Sequence, residues 1–402
     1  MKHSRASVVW LVAACVLSLA SAAPCLAAAP DFQYLASAPE TQYLSSAQER
    51  QLPAPLPEDF RQIDDILSGL DRPGGTGIDL RQVFTDVLSG KSKLDGPYLL
   101  GVVARYLFSE LQLNTKLLGS LIVLAVISAL LQNLQAGFNS DAVARVAYAT
   151  CHLVLITLAL SSFGVALKAS QNACSDLLSL MRPLLPALIA LVASSGAPVT
   201  AGLLSPITIS TVHFVATIAS EVVLPVIVLA AVLEIVNHTW DVFDLSGVTG
   251  LIRLVANTLL GLSLAVFLGM MAVQKAAGAV SDGAAIRTAK FLSSTFIPVV
   301  GRMFSDAAEM VFSSSNVLKG AVSAGGALVV FFLIVFPLAK IASLVFVYRL
   351  AAALVQPLGA KRMSSCLNGI GSSLIMMCVA LGTVAMMLWV SLAVIAGASR
   401  PY

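Results

Sequence analysis

The residues able to do chemistry are few, and most sit where charge is unfavourable. His213, Glu221, Glu234, Arg253, Lys340 and Arg349 all fall inside or beside long apolar runs. An ionisable group at bilayer depth costs about 2.5–3.5 kcal/mol on insertion scales, so such groups usually face protein or water. Glu221 lies four residues before Pro225, and a proline inside a helix frees a backbone carbonyl and kinks the chain. Glu221 therefore either lines a polar pathway beside a kink or marks a wet loop between two spans. Arg253 and Lys340 read as side chains whose charged tips reach for the membrane interface. His213 reads as a packed polar residue, because no second His or Cys stands at metal-ligand spacing. A second polar set follows. Arg302 and Asp306 are spaced i, i+4 and can pair on one helix face, within a basic cluster of Lys275, Arg287, Lys290 and Arg302. Glu221, Arg287, Lys290, Arg302 and Asp306 are the candidate functional residues.

Patterns that carry catalysis are absent. There is no His-Glu-x-x-His and no Gly-x-Ser-x-Gly, and Asp282 and Asp306 lack the setting of a paired-aspartate membrane protease. Gly90-Lys91-Ser92 matches the end of a phosphate loop, but Thr85 stands where that loop needs a glycine and an amphipathic helix precedes it instead of a buried strand. No catalytic residue, metal or cofactor is expected. A net charge of +3 gives no reason to expect nucleic acid.

The elements that must position these residues are apolar helices. The chain of 402 residues is 58% hydrophobic and 11% charged, with a mean hydropathy of +0.90; soluble domains carry about 25% charged residues. So little charge cannot cover a water-facing globule of this size, and the excess apolar surface must face lipid. Met1–Arg5 is a basic start, Ala6–Ala20 an apolar run, and small residues follow to Ala29. This is a signal-peptide pattern, placed at 1–27, with an uncleaved anchor as the alternative. Residues 28–57 form a polar tether containing Pro53, Pro55 and Pro57. Residues 58–116 hold three short amphipathic stretches, 58–70, 79–88 and 98–113. They form a small extracytoplasmic helical region that lies on the membrane surface or against a partner, or stands alone as a mini-domain. The region from 28 to 116 holds over half of the acidic residues and no cysteine, which excludes a disulfide framework there.

Crossing about 30 Å of hydrocarbon takes roughly 20 apolar residues in a helix. The candidates are 117–134, 146–167, a half-span at 184–194 beside Pro183 and Pro186, a long run at 201–236 that is one kinked helix or a tight hairpin around Pro206 and Pro225, 254–273, the pair 322–338 and 341–355 separated by Pro337 and Lys340, and 370–395. The expected fold is all-α, a polytopic transmembrane helical bundle of about seven or eight spans over 117–396, with a tail at 397–402. Residues 281–326 are too polar to span and too apolar for a free loop. They read as a re-entrant or interfacial segment, or as an amphipathic cytoplasmic linker. The positive-inside rule places both Lys275–Arg302 and Lys361-Arg362 in the cytoplasm, with 240–246 and the C-terminus outside.

The strings LLGSLIVLAVISALLQNLQ from Leu117, DGAAIRTAKF from Asp282, FIPVVGRMFSDAAEMV from Phe296 and Gln356-Pro357-Leu358-Gly359 resemble the stage III sporulation protein AE family. The likeness extends over about 117–396 and includes the order of signal sequence, exported region and multi-span domain. It implies an endospore-forming bacterium and a multi-pass protein of the mother-cell membrane around the forespore. The expected partners are the lipid bilayer, the other proteins of the stage III sporulation A operon and, through their complex, a forespore membrane protein. The family's implied role is that of a non-enzymatic subunit of a secretion-like channel complex, needed for forespore integrity and late forespore gene expression. The competing reading is a free-standing secondary transporter. The chain shows no inverted repeat of the kind such transporters often carry.

Overall fold

A computed structural model describes residues 96–137, 141–239, 245–296 and 300–397. The expected signal peptide at 1–27, the expected tether at 28–57 and the expected amphipathic stretches at 58–70 and 79–88 lie outside the described residues. The α-helices of the described residues are α1 (Gly96–Leu113), α2 (Thr115–Gly137), α3 (Asp141–Ser194), α4 (Pro198–Thr217), α5 (Leu224–Thr239), α6 (Ser246–Phe296), α7 (Val300–Val355) and α8 (Lys361–Gly397). A π-helical turn, Ile218–Val223, joins α4 to α5, and a 3-10 turn, Gln356–Leu358, follows α7. The described residues contain no strand. Among the described residues five helices are long and apolar enough to cross a membrane, or six if the α1–α2 pair, bent by 46°, is one span.

This count is lower than the expected seven or eight because two divisions made at prolines do not exist. Residues 184–194 are no separate half-span: α3 runs unbroken through Pro183 and Pro186. The pair 322–338 and 341–355 is one helix, α7, which runs through Pro337. In a bundle, neighbouring helices can satisfy the groups a proline frees, and Leu184, Leu185 and Leu188 hold this part of α3 in the core. The run at 201–236 is likewise continuous, with no hairpin. Residues 281–296 extend α6 and 300–326 open α7, so the segment expected to be re-entrant or interfacial is helical on both sides of 297–299.

Breaks occur where the backbone requires them. At the end of α3, Ala197 N–H donates to Val192 O and Gly196 N–H to Ala193 O, with Gly196 at φ 94°. This is a Schellman motif, which favours glycine at the left-handed position, and Pro198 then opens α4 at a position that needs no donor. After α7, Gly359 at φ 82° closes the Gln356–Leu358 turn before α8.

Contacts between helices give their directions. Ser162 and Tyr348 bond at 2.8 Å, and Gly326 faces Leu184, so α3 and α7 are antiparallel. Thr208 meets Gln274 while Glu234 meets Arg253, so α4–α5 and α6 are antiparallel. Asn114 bonds Ser343 and Tyr106 stacks edge-on against Phe336, so α1 runs alongside α7 in the same direction. One end of the bundle therefore carries the start of α1, the α3–α4 turn, the α6–α7 connection and the end of α8. The other carries the α2–α3 and α5–α6 connections and the α7–α8 turn. The single helix α7 separates Lys275–Arg302 from Lys361-Arg362, which places the two basic clusters at opposite ends of the bundle.

Candidate functional site

Two polar constellations stand out against the apolar bundle, one between helices and one on its surface. The first joins three helices. Glu234 on α5 forms an ion pair with Arg253 on α6, and Arg253 Nη2 also donates to Ser373 Oγ on α8 at 2.8 Å. Ser373 lies 3.5 Å from the same Glu234 oxygen. Gly369, one turn earlier on α8, lets the carboxylate approach: a Cβ there would stand 3.0 Å from Glu234 Cδ. Both charged side chains are mostly enclosed, at 25% and 19% relative exposure. Arg253 is thus the partner of an acid on the preceding helix, not an interface snorkeller. Two helices on, Arg349 of α7 packs over Gly371. In lipid-embedded bundles such polar contacts average about 0.6 kcal/mol each, and their geometry fixes which helices meet.

The second constellation surrounds Glu221. The π turn is visible in Leu224 N–H, which donates to Ala219 O five residues back. The next pair in that register would be Pro225 and Ser220, and proline has no N–H to give. Ser220 O instead accepts from Gln171 Nε2 of α3 at 3.4 Å. The turn keeps the helix unbroken, so Glu221 is not in a loop between spans. It is exposed on the surface of the bundle, midway along an apolar helix. π turns within helices recur at functional sites. Ser210 and His213 are exposed on the same face, with Thr217 half-buried between them and Glu221. His213 is therefore not packed in the interior.

Of the other candidates, Arg287 and Lys290 lie on α6 beyond its apolar part, and Arg302 and Asp306 lie in the first turns of α7. The i, i+4 spacing of Arg302 and Asp306 is preserved on one helix, and their side chains lie outside the described residues. The structure does not bring these four together with Glu234 or Glu221. Sequence reasoning missed the Glu234–Arg253–Ser373 set, although two opposite charges in successive spans are a usable signal. It also missed a polar stripe on α3, Ser161, Lys168, Asn172, Ser175 and Arg182, all exposed and spaced by three, four or seven residues. Among the described residues no group of three His, Cys, Asp or Glu side chains could hold a metal.

The chain matches the family described as Stage III sporulation protein AE over residues 78–399. It is 39% identical over 310 residues to Stage III sporulation protein AE of Bacillus subtilis (strain 168), covering 77% of this chain and 78% of that relative. No solved structure matches. A helical bundle with candidate membrane spans and this extent of likeness place the chain in the stage III sporulation protein AE family.

Proposed function

We propose that this chain is a non-enzymatic membrane subunit of a sporulation-specific, secretion-like channel complex that links mother cell and forespore. The family membership, over 78–399, carries the reading. It is supported by polar groups held along the bundle, Glu234–Arg253–Ser373 near one end and Glu221 midway, where a purely anchoring protein needs none. The protein sits in the mother-cell membrane, with its N-terminal region exported by the leader into the space facing the forespore. Its partners there are the other products of the stage III sporulation A operon and, through them, a forespore membrane protein.

With six crossings and an exported N-terminus, the α6–α7 connection lies on the same, outer side. Its basic residues Arg287, Lys290 and Arg302 then face the forespore side, where a partner can meet them. The test is replacement of Arg302 or Asp306 by alanine in the sporulating organism. Heat-resistant spores are expected to be lost while the protein stays in the membrane at normal abundance. Wild-type sporulation by both variants would remove this segment from the mechanism. Uptake of a small solute by vesicles holding this protein alone, dependent on Glu221 or Glu234, would favour the transporter reading instead.

A further inference from the structure

The α3 and α4 polar stripes border one seam. Gln171, three residues beyond Lys168, reaches the carbonyl of Ser220, which adjoins Glu221. Three residues are about 4.5 Å of helix rise, so Lys168 and Glu221 lie at nearly the same depth. Both are exposed, and among the described residues neither makes an ion pair. Ser161, Asn172, Ser175 and Ser210 continue the seam as exposed hydrogen-bonding groups. Gly164 adds a place for close approach, since a Cβ there would meet nothing within 4 Å. Lipid offers such a surface neither counter-charge nor hydrogen bonds.

We propose that a second copy of this chain docks on the seam, related by a two-fold axis along the membrane normal. Such an axis preserves depth, and a two-fold interface presents the same patch on both subunits. It sets α3 of each copy against α4 and the following π turn of the other. Lys168 then meets Glu221 of the other copy, twice, and the two exposed charges of the seam are matched without a third component. The small and hydroxyl side chains flanking the pair are of the type that lets membrane helices approach and hydrogen-bond. The proposal does not rest on the channel reading, because association in the membrane is measured whether or not anything is transported.

The experiment uses the full chain in its native membrane. Two differently tagged copies are co-expressed, one with Lys168→Cys and one with Glu221→Cys, and a short bis-maleimide is added. The expected product has twice the chain mass and carries both tags; the reciprocal Lys168–Glu221 pair is untouched in that dimer. A control pair, Thr258→Cys with Phe346→Cys, exposed on α6 and α7, is expected to stay monomeric. Lys168→Glu or Glu221→Lys alone should abolish dimer recovered after mild detergent extraction, and the two together in one chain should restore it. Monomer alone at normal membrane abundance, or a product containing a different protein, would overturn the proposal. So would failure of the double exchange to restore the dimer. If a single exchange prevents accumulation, the cysteine pair still decides.

Discussion

At the scale of residues, the pairing of Glu234 with Arg253 decides how α5, α6 and α8 meet. Removing one member of a fully buried ion pair costs about 3–5 kcal/mol, because the other charge stays buried and alone. This pair is partly open to its surroundings, so Arg253→Met is expected to cost less, about 1–3 kcal/mol. The combined Glu234→Leu and Arg253→Met variant strands no charge and should be more stable than Arg253→Met alone. Thermal melting of the detergent-solubilised protein checks the order, and a double variant no better than the single would mean that Glu234 is not the relevant partner. The charges were legible in the sequence as polar residues within apolar runs. Their union was not, because it depends on α5 and α6 folding back at a register that puts residues 19 apart side by side.

At the scale of elements, prolines misdirect a reading of the sequence and glycines inform it. Pro183, Pro186 and Pro337 look like breaks but lie within continuous helices, because packing against neighbours outweighs the lost hydrogen bonds. Pro225 is different. The helix answers it with a π turn and a hydrogen bond from Gln171, so the expected kink becomes a continuous segment that presents Glu221 outward. Gly326 on α7 shows the close approach of α7 to α3. A Cβ there would stand 2.7 Å from Leu184 Cδ2, and Leu184 is fully buried. Gly→Ala in a helix interior ordinarily stabilises by about 0.5–1 kcal/mol. At Gly326 the sign should reverse, with a loss of about 1–3 kcal/mol from overpacking. A lowered melting temperature for Gly326→Ala, recovered when Leu184→Ala is added, is the expected result; an unchanged or raised one would refute the contact.

At the scale of the whole molecule, helix continuity decides topology. Because α7 is one helix, the α6–α7 connection and the α7–α8 turn lie at opposite ends. With the N-terminus outside, Ser294 should be labelled by a membrane-impermeant thiol reagent when changed to cysteine, as should Ser399 just beyond α8. Ser246, at the start of α6, should be protected until the membrane is permeabilised. Reading the two basic clusters as both cytoplasmic expects the opposite for Ser294 and Ser246, so labelling separates the two topologies. The positive-inside bias acts on short connections and on residues close to span ends, so it bears on both clusters, and labelling shows which of them it governs.

Composition and apolar run length alone determined that this chain carries several helices apolar enough to span a membrane, because 11% charged residues cannot cover a water-facing surface of this size. The RTAKF and GRMFSDA strings pointed to its family. Only the tertiary structure decided how many helices those runs make, which ends they share and which charges are paired. Whether a proline breaks a helix, and whether a buried acid finds a base, depends on neighbours that are distant in sequence and adjacent only in the folded bundle.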